Sequence, residues 1–179
     1  MSGRHVALLR GINVGKAKRV AMADLRALFE DLGYRDVRTL LNSGNVIFTS
    51  SSKVPATAAA RIQTAMAAKL GVSARIMLLS AAELATVVAE NPLGKIAKDP
   101  SRLHVCVLAD PADRSKLKTL LKQDWGKERV AVGTHAAYVW CPEGIIASPA
   151  HGALARALGD AVTSRNWATV LKLQALTDR

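Results

Sequence analysis

The residues best suited to chemistry lie near the start of the chain: Arg10-Gly11-Ile12-Asn13-Val14-Gly15-Lys16, followed closely by Lys18 and Arg19. Guanidinium, ammonium and carboxamide donors on a glycine-punctuated loop are groups that hold an anion. The helical pattern behind them would add first-turn amides that favour negative charge. The spacing is not that of a phosphate-binding P-loop, which needs four residues between its glycines and a hydroxyl after the lysine. Here three residues intervene and Ala17 follows Lys16. Two readings of the loop stand: an anion contact through Arg10, Asn13 and Lys16, or a solvated connection whose glycines supply φ > 0.

Two further polar clusters echo the first. Asn42-Ser43-Gly44-Asn45 joins two apolar runs and has the composition of a hairpin turn. Asn42 and Asn45 are candidates for a supporting role beside a ligand, whereas Ser43 has no nucleophile elbow around it. Thr163-Ser164-Arg165-Asn166-Trp167 reads as a helix start with three competent N-cap residues, and Arg165 is the member that a cap leaves unexplained. It either pairs with a carboxylate such as Asp160 or contacts a ligand anion. The four histidines make no H-E-x-x-H or other close metal pair, the acids Glu30-Asp31 fall on the outer face of a helix, and no Ser-His-Asp or Cys-His set is nominated. No metal or cofactor is therefore expected.

The elements that must position these residues follow from apolar spacing. Strands are predicted at 4–10, 36–41, 46–50 and 72–79, with helices at 21–33 and 56–70. Met22, Leu25, Leu28, Phe29 and Leu32 share one helix face, and Pro55 suits a first turn. The order βαββαβ is that of the ferredoxin-like split arrangement, in which the first and third strands are central. On this reading the first loop and the 42–45 hairpin leave opposite ends of the sheet and do not share a simple site. After a helix beginning near Glu83, the stretch 92–101, with two prolines, a glycine and several charges, is the predicted linker. The order then repeats with a strand at 103–109, a helix at 111–123, strands at 129–133 and 137–141, a helix at 150–162 and a last helix at about 166–176. The fold class is α+β, with two packed ferredoxin-like-related subdomains at 1–91 and 102–179. The first is βαββαβ; the second is βαββα with a C-terminal helix, helices taking the place of a fourth strand.

The chain of 179 residues is long enough for a sizeable core, and its apolar runs are too short to span a membrane. Only four apolar residues precede Arg10, too few for a signal-peptide core, so a soluble cytoplasmic protein is expected, with Cys106 and Cys141 reduced. The net charge of +11 favours polyanions: residues 1–55 carry 9 Lys/Arg against 4 Asp/Glu, and residues 92–179 carry 13 against 8. Base stacking on the sheet is disfavoured, because the first strand has no aromatic residue and the third has only Phe48. Nucleic acid would then be held by backbone electrostatics.

Arg10-Gly11-Ile12-Asn13-Val14-Gly15, then Val20, Met22 and Leu25, then Ser43-Gly44-Asn45-Val46, and finally Arg165-Asn166-Trp167 with Thr169-Val170 and Lys172-Leu173 occur in order. Over essentially the whole chain this resembles the bacterial family catalogued as domain of unknown function 1697. The resemblance implies an α+β protein of two ferredoxin-like-related subdomains and brings no established activity, substrate or cofactor. The chain departs from the family pattern at Lys16 (commonly glycine), Ala21 (commonly proline) and Ala168 (commonly polar), which makes its first loop stiffer and more basic and removes a pre-organised helix start. The leading functional expectation is a binding module for a phosphate-bearing or polyanionic ligand, possibly nucleic acid, through Arg10, Asn13, Lys16 and Arg165 in a cleft between the subdomains. The alternatives are an enzyme of hydrolase or transferase type using the same polar groups, and a protein-partner or structural role.

Overall fold

A computed structural model describes residues 3–179. Two compact units emerge, one comprising residues 3–84 with Ala175–Arg179 and the other Ala85–Gln174. The 92–101 stretch falls within the second.

The first unit runs β1 (Gly3–Leu9), α1 (Met22–Asp31), β2 (Arg35–Leu40), β3 (Asn45–Ser50), α2 (Ala58–Leu70), β4 (Ile76–Ser80) and the start of α3 (Ala81–Ala89). Its strands form one antiparallel sheet in the order β2-β3-β1-β4, so β1 and β3 are central as expected. Period-2 alternation sends Ala7, Leu9, Val46 and Phe48 to one face, where Leu25, Leu28 and Phe29 of α1 and Ile62 and Met66 of α2 close over them. Gly71, at φ 65°, ends α2 in the left-handed conformation that favours glycine. Ser80 and Glu83 form a capping box at α3: the Ser80 backbone N–H donates to Glu83 Oε2 (2.8 Å) and the Glu83 N–H donates to Ser80 Oγ (3.2 Å). The fourth strand starts at Ile76 rather than at 72.

The second unit continues with β5 (Leu103–Leu108), a 3-10 turn (Pro111–Leu117) running into the short α4 (Lys118–Leu121), β6 (Arg129–Val132), β7 (Ala136–Trp140), α5 (Pro149–Leu158), β8 (Val162–Asn166) and α6 (Trp167–Thr177). These four strands make a second antiparallel sheet, β6-β7-β5-β8. Cys106, Leu108, Ala137 and Val139 pack with Leu117, Leu120, Leu154 and Leu158.

The βαββα order and the C-terminal helix are present, but helices do not replace a fourth strand. Residues 162–166 are that strand, paired to β5 from Leu108↔Val162 to His104↔Asn166. Thr163 and Ser164 are thus strand residues, and α5 stops at Leu158. Of the three N-cap candidates, Asn166 performs the role: its Oδ1 accepts from Thr169 N (2.9 Å) as α6 begins. Among the described residues no helix is long and apolar enough to cross a membrane.

Candidate functional site

The first loop is built by its own backbone chemistry. At the end of β1, Leu9 N–H donates to the Gly44 carbonyl and Arg10 N–H to the Arg75 carbonyl, both at 2.9 Å. The loop then turns through four positive-φ residues, Gly11 (69°), Asn13 (54°), Gly15 (64°) and Lys18 (52°). Asn is a residue that tolerates this region, and here its side chain closes the loop. Asn13 Oδ1 accepts from Val20 N (2.9 Å), while its Nδ2 donates to the Val20 carbonyl (2.9 Å) and to the Asn42 carbonyl (2.8 Å).

That last bond joins the first loop to the 42–45 hairpin, which corrects the expectation that they lie at opposite ends of the sheet. β1 and β2 are each antiparallel to β3 and so run parallel to one another. Both therefore leave the sheet at the same end. Ile12, buried to 1 %, lies over Gly44, where an added Cβ would sit 2.7 Å from Ile12 Cδ1 and 2.9 Å from Leu9 Cβ.

Asn45 is fully buried at the head of β3, and its Nδ2 donates to the Leu40 carbonyl (2.7 Å) and Ser43 Oγ (3.0 Å). The amides of Asn13 and Asn45 are thus engaged by the protein, and Asn42 contributes its backbone carbonyl. Among the charged groups that face solvent here, all those from Arg10 to Arg19 are cationic: Lys16, Lys18, Arg19 and also Arg75 are exposed and Arg10 is half-buried, with Val14 and Leu41 exposed beside them. Asn13, Arg19, Val20, Ala21, Met22 and Asn42 line a shallow cavity of about 290 Å³ at the N-terminus of α1. Ala21 occupies the N-cap position and supplies no side-chain cap, so α1 begins beside that cavity without one.

Arg165 belongs to the second unit, whereas Arg10, Asn13, Lys16, Asn42 and Asn45 all belong to the first. It is buried in β8, where Nη1 donates to Thr163 Oγ1 and to the Ser164 carbonyl, both at 2.9 Å. Burial brings its pKa down to about 10, which leaves it charged at neutral pH.

The second unit also assembles a polar row that sequence spacing conceals. His151 Nε2 lies 3.1 Å from Ser164 Oγ, which donates to Cys106 Sγ (3.3 Å), and the His104 ring is 6.4 Å from that of His151. Only the Cys106–Ser164 pairing across β5 and β8 brings these together, and β8 has no apolar alternation to reveal it. The Ser164 hydroxyl thus stands between an imidazole and a buried thiol, in one hydrogen-bonded row that joins α5, β8 and β5. Burial pushes the Cys106 thiol up to about 12 and raises that of Cys141, so neither is a thiolate nucleophile. The same unit has a broad groove of about 810 Å³ lined by Arg114, Ser115 and Lys118. There Glu90 faces them, its carboxylate clamped by Thr134 N–H and Oγ1–H at 2.7 Å each. Those two bonds hold the Glu90 pKa below the usual carboxylate range and place negative charge where an anion would have to sit. Among the described residues no group of three or more His, Cys, Asp or Glu side chains is arranged to hold a metal.

Residues 2–138 match the model of the family described as Protein of unknown function (DUF1697). The chain belongs to this family. The matched span includes the first loop and the 42–45 hairpin and ends before Arg165-Asn166-Trp167. No curated protein matches the sequence. A solved structure described as conserved bacterial protein SP0830 from Streptococcus pneumoniae superposes with a TM-score of 0.82 at 24 % identity, covering 100 % of both chains. That likeness establishes a shared α+β fold over the full length.

Proposed function

We propose that the first unit binds a phosphate-bearing polyanion, with nucleic-acid backbone as the leading class, across the cationic loop end of its sheet. The observation that carries this reading is the clustering at one end of the sheet of Arg10, Lys16, Lys18 and Arg19, from a stretch with no acidic residue between Gly3 and Ala23, with Arg75, whose carbonyl accepts from Arg10 N–H. Charge distribution supports it: 13 Lys/Arg stand against 6 Asp/Glu in the first unit and 12 against 8 in the second, so the excess is concentrated where the loop lies. In this reading Asn13 and Asn45 are scaffold, and the cations around the uncapped start of α1 are the contacts.

Fluorescence anisotropy with labelled single-stranded RNA, single-stranded DNA and duplex DNA at about 50 and 200 mM salt tests it. Binding should fall steeply with salt, and Arg10→Ala should weaken it by about 1–3 kcal/mol if its contact is charge-assisted. Each phosphate contact removed should lower the salt slope by about 0.7–0.9. Undiminished binding by the double variant Lys16→Glu/Arg19→Glu, or no binding at low salt, would refute it.

A further inference from the structure

At the other end of β1, roughly 20 Å from Arg10 along the strand, the first unit carries a second and differently built cationic site. We infer that Arg4, Arg38 and Thr49 form a pocket for a small phosphate monoester, independent of the loop-end surface. The face concerned is the one turned away from α1 and α2, since Arg4 alternates with His5, whose ring stacks on Phe48 of the core face.

Strand register fixes the arrangement. Arg4 stands directly opposite Thr49 and Arg38 directly opposite Ile47, so all four side chains rise from the same face. β1 and β2 flank β3, which puts the two arginine Cα atoms roughly 12 Å apart, close enough for both side chains to converge above the Thr49 hydroxyl. They line one pocket of about 320 Å³, together with Asp36, Leu176 and Arg179. Arg4 Nη1 gives one bond to the Thr177 carbonyl (3.3 Å), which anchors the guanidinium at the pocket wall without using up its fork.

A local irregularity sharpens the site. The β2–β3 ladder shifts register between Arg35 and Arg38, and Asp36 in that bulge has φ 50°. Such bulges re-aim side chains at an edge strand, and here Asp36 and Arg38 line the same pocket.

Charge and size select the ligand class. Arg4, Arg38 and Arg179 line the pocket with a single acidic residue, Asp36, a balance that suits a doubly charged anion, and a phosphate monoester carries about −1.5 to −2 at neutral pH. Arginine forks and a hydroxyl suit the oxygens of a tetrahedral phosphoryl group. Asp36 repels a second anionic group but accepts from a hydroxyl, so the phosphate belongs to a small hydroxylated molecule. The volume is at the small end of ligand cavities and leaves no room for a polymer.

The test is calorimetric titration of the full chain with ribose 5-phosphate and with inorganic phosphate, thermal melts confirming that each variant is folded. Saturable binding of ribose 5-phosphate is expected, weakened at least about tenfold by Arg38→Ala and measurably by the near-isosteric Thr49→Val. Asp36→Gly, which suits the backbone at φ 50° and removes the acceptor, should abolish the preference for ribose 5-phosphate over inorganic phosphate. Arg19→Glu, at the loop end, should leave the titration unchanged, so this pocket and the polyanion surface can fail separately. Absence of saturable binding up to about 10 mM, equal affinity in Arg38→Ala, or loss in Arg19→Glu matching that in Arg38→Ala would overturn the assignment.

Discussion

Replacing Asn13 with alanine tests whether the loop is held by this one carboxamide. The substitution removes three hydrogen bonds: Oδ1 to Val20 N, and Nδ2 to the Val20 and Asn42 carbonyls. Each is worth about 0.5–1.5 kcal/mol net, with the solvent-facing bond to Asn42 at the low end. Val20 is only 7 % exposed, so its backbone groups would lose partners where water replaces them poorly. At φ 54° alanine also gives up the tolerance that asparagine has for the left-handed region, about 1 kcal/mol more. The sum is a loss of about 3 kcal/mol, or a fall in urea midpoint of about 1–2 M. Far-UV circular dichroism is the appropriate probe, because Trp125, Trp140 and Trp167 all lie in the second unit and leave the first without an indole. Two companion variants separate the contributions. Asn13→Gly relieves the backbone and should lose only the hydrogen-bond share, about 2 kcal/mol. Asn13→Asp keeps the acceptor but sets a second oxygen against two carbonyls, and should be no better than alanine despite its shape. A loss below about 0.5 kcal/mol in Asn13→Ala, or wild-type stability in Asn13→Asp, would refute the account.

Three other outcomes follow from the same structure. Gly44→Ala combines φ 85° with a Cβ 2.9 Å from Leu9 Cβ, so urea unfolding should show a loss of about 2–4 kcal/mol, and a neutral result would mean that the two loops are not in contact. His104 is brought down from 6.5 to about 4, first by burial and then by the neighbouring His151 ring, while burial also lowers His151. The unfolded chain therefore takes up protons first, and the melting temperature should be level above pH 6.5 and fall as pH drops toward about 4; His104→Leu should flatten that fall, and an unchanged slope would sink the assignment. Cys106 and Cys141 are both buried, with thiol pKa values raised, so a chromogenic disulfide reagent should label neither in the folded protein and both in urea, whereas rapid stoichiometric labelling at neutral pH would contradict their placement.

Most of the fold was legible because its elements carry local signals. The apolar stripe of α1, the Pro55 and Gly71 flanks of α2 and the hairpin composition of 42–45 each place an element to within a few residues. β8 was not legible, because Thr163, Ser164 and Asn166 are cap residues by intrinsic chemistry and the strand lacks apolar alternation. Only pairing with β5 makes Val162–Asn166 extended. The adjacency of the two loops follows from element order alone, once it is noticed that strands on either side of a shared antiparallel neighbour must point the same way. The Arg4–Arg38–Thr49 pocket was beyond sequence reasoning, since it depends on strand register and on a bulge at Asp36.

The fate of the asparagines bears on how such motifs should be read. Asn13, Asn45 and Asn166 stand in the three polar clusters, and each is occupied with main-chain groups: closing a loop, fixing a hairpin, capping a helix. A carboxamide has both donor and acceptor on a short stem, so it is the side chain best able to satisfy a backbone that has left its ladder. Its presence in a loop is accounted for before any ligand is considered. Arginine and lysine have no acceptor and cannot replace a strand partner in this way. Of the five cations at this end of the sheet, Lys16, Lys18 and Arg19 lie on the loop that Asn13 closes and are exposed, Arg75 before β4 is also exposed, and Arg10 is half-buried. The functional information in these clusters therefore resides in the guanidinium and ammonium groups, and substitutions there should change affinity while those at Asn13 and Asn45 change stability.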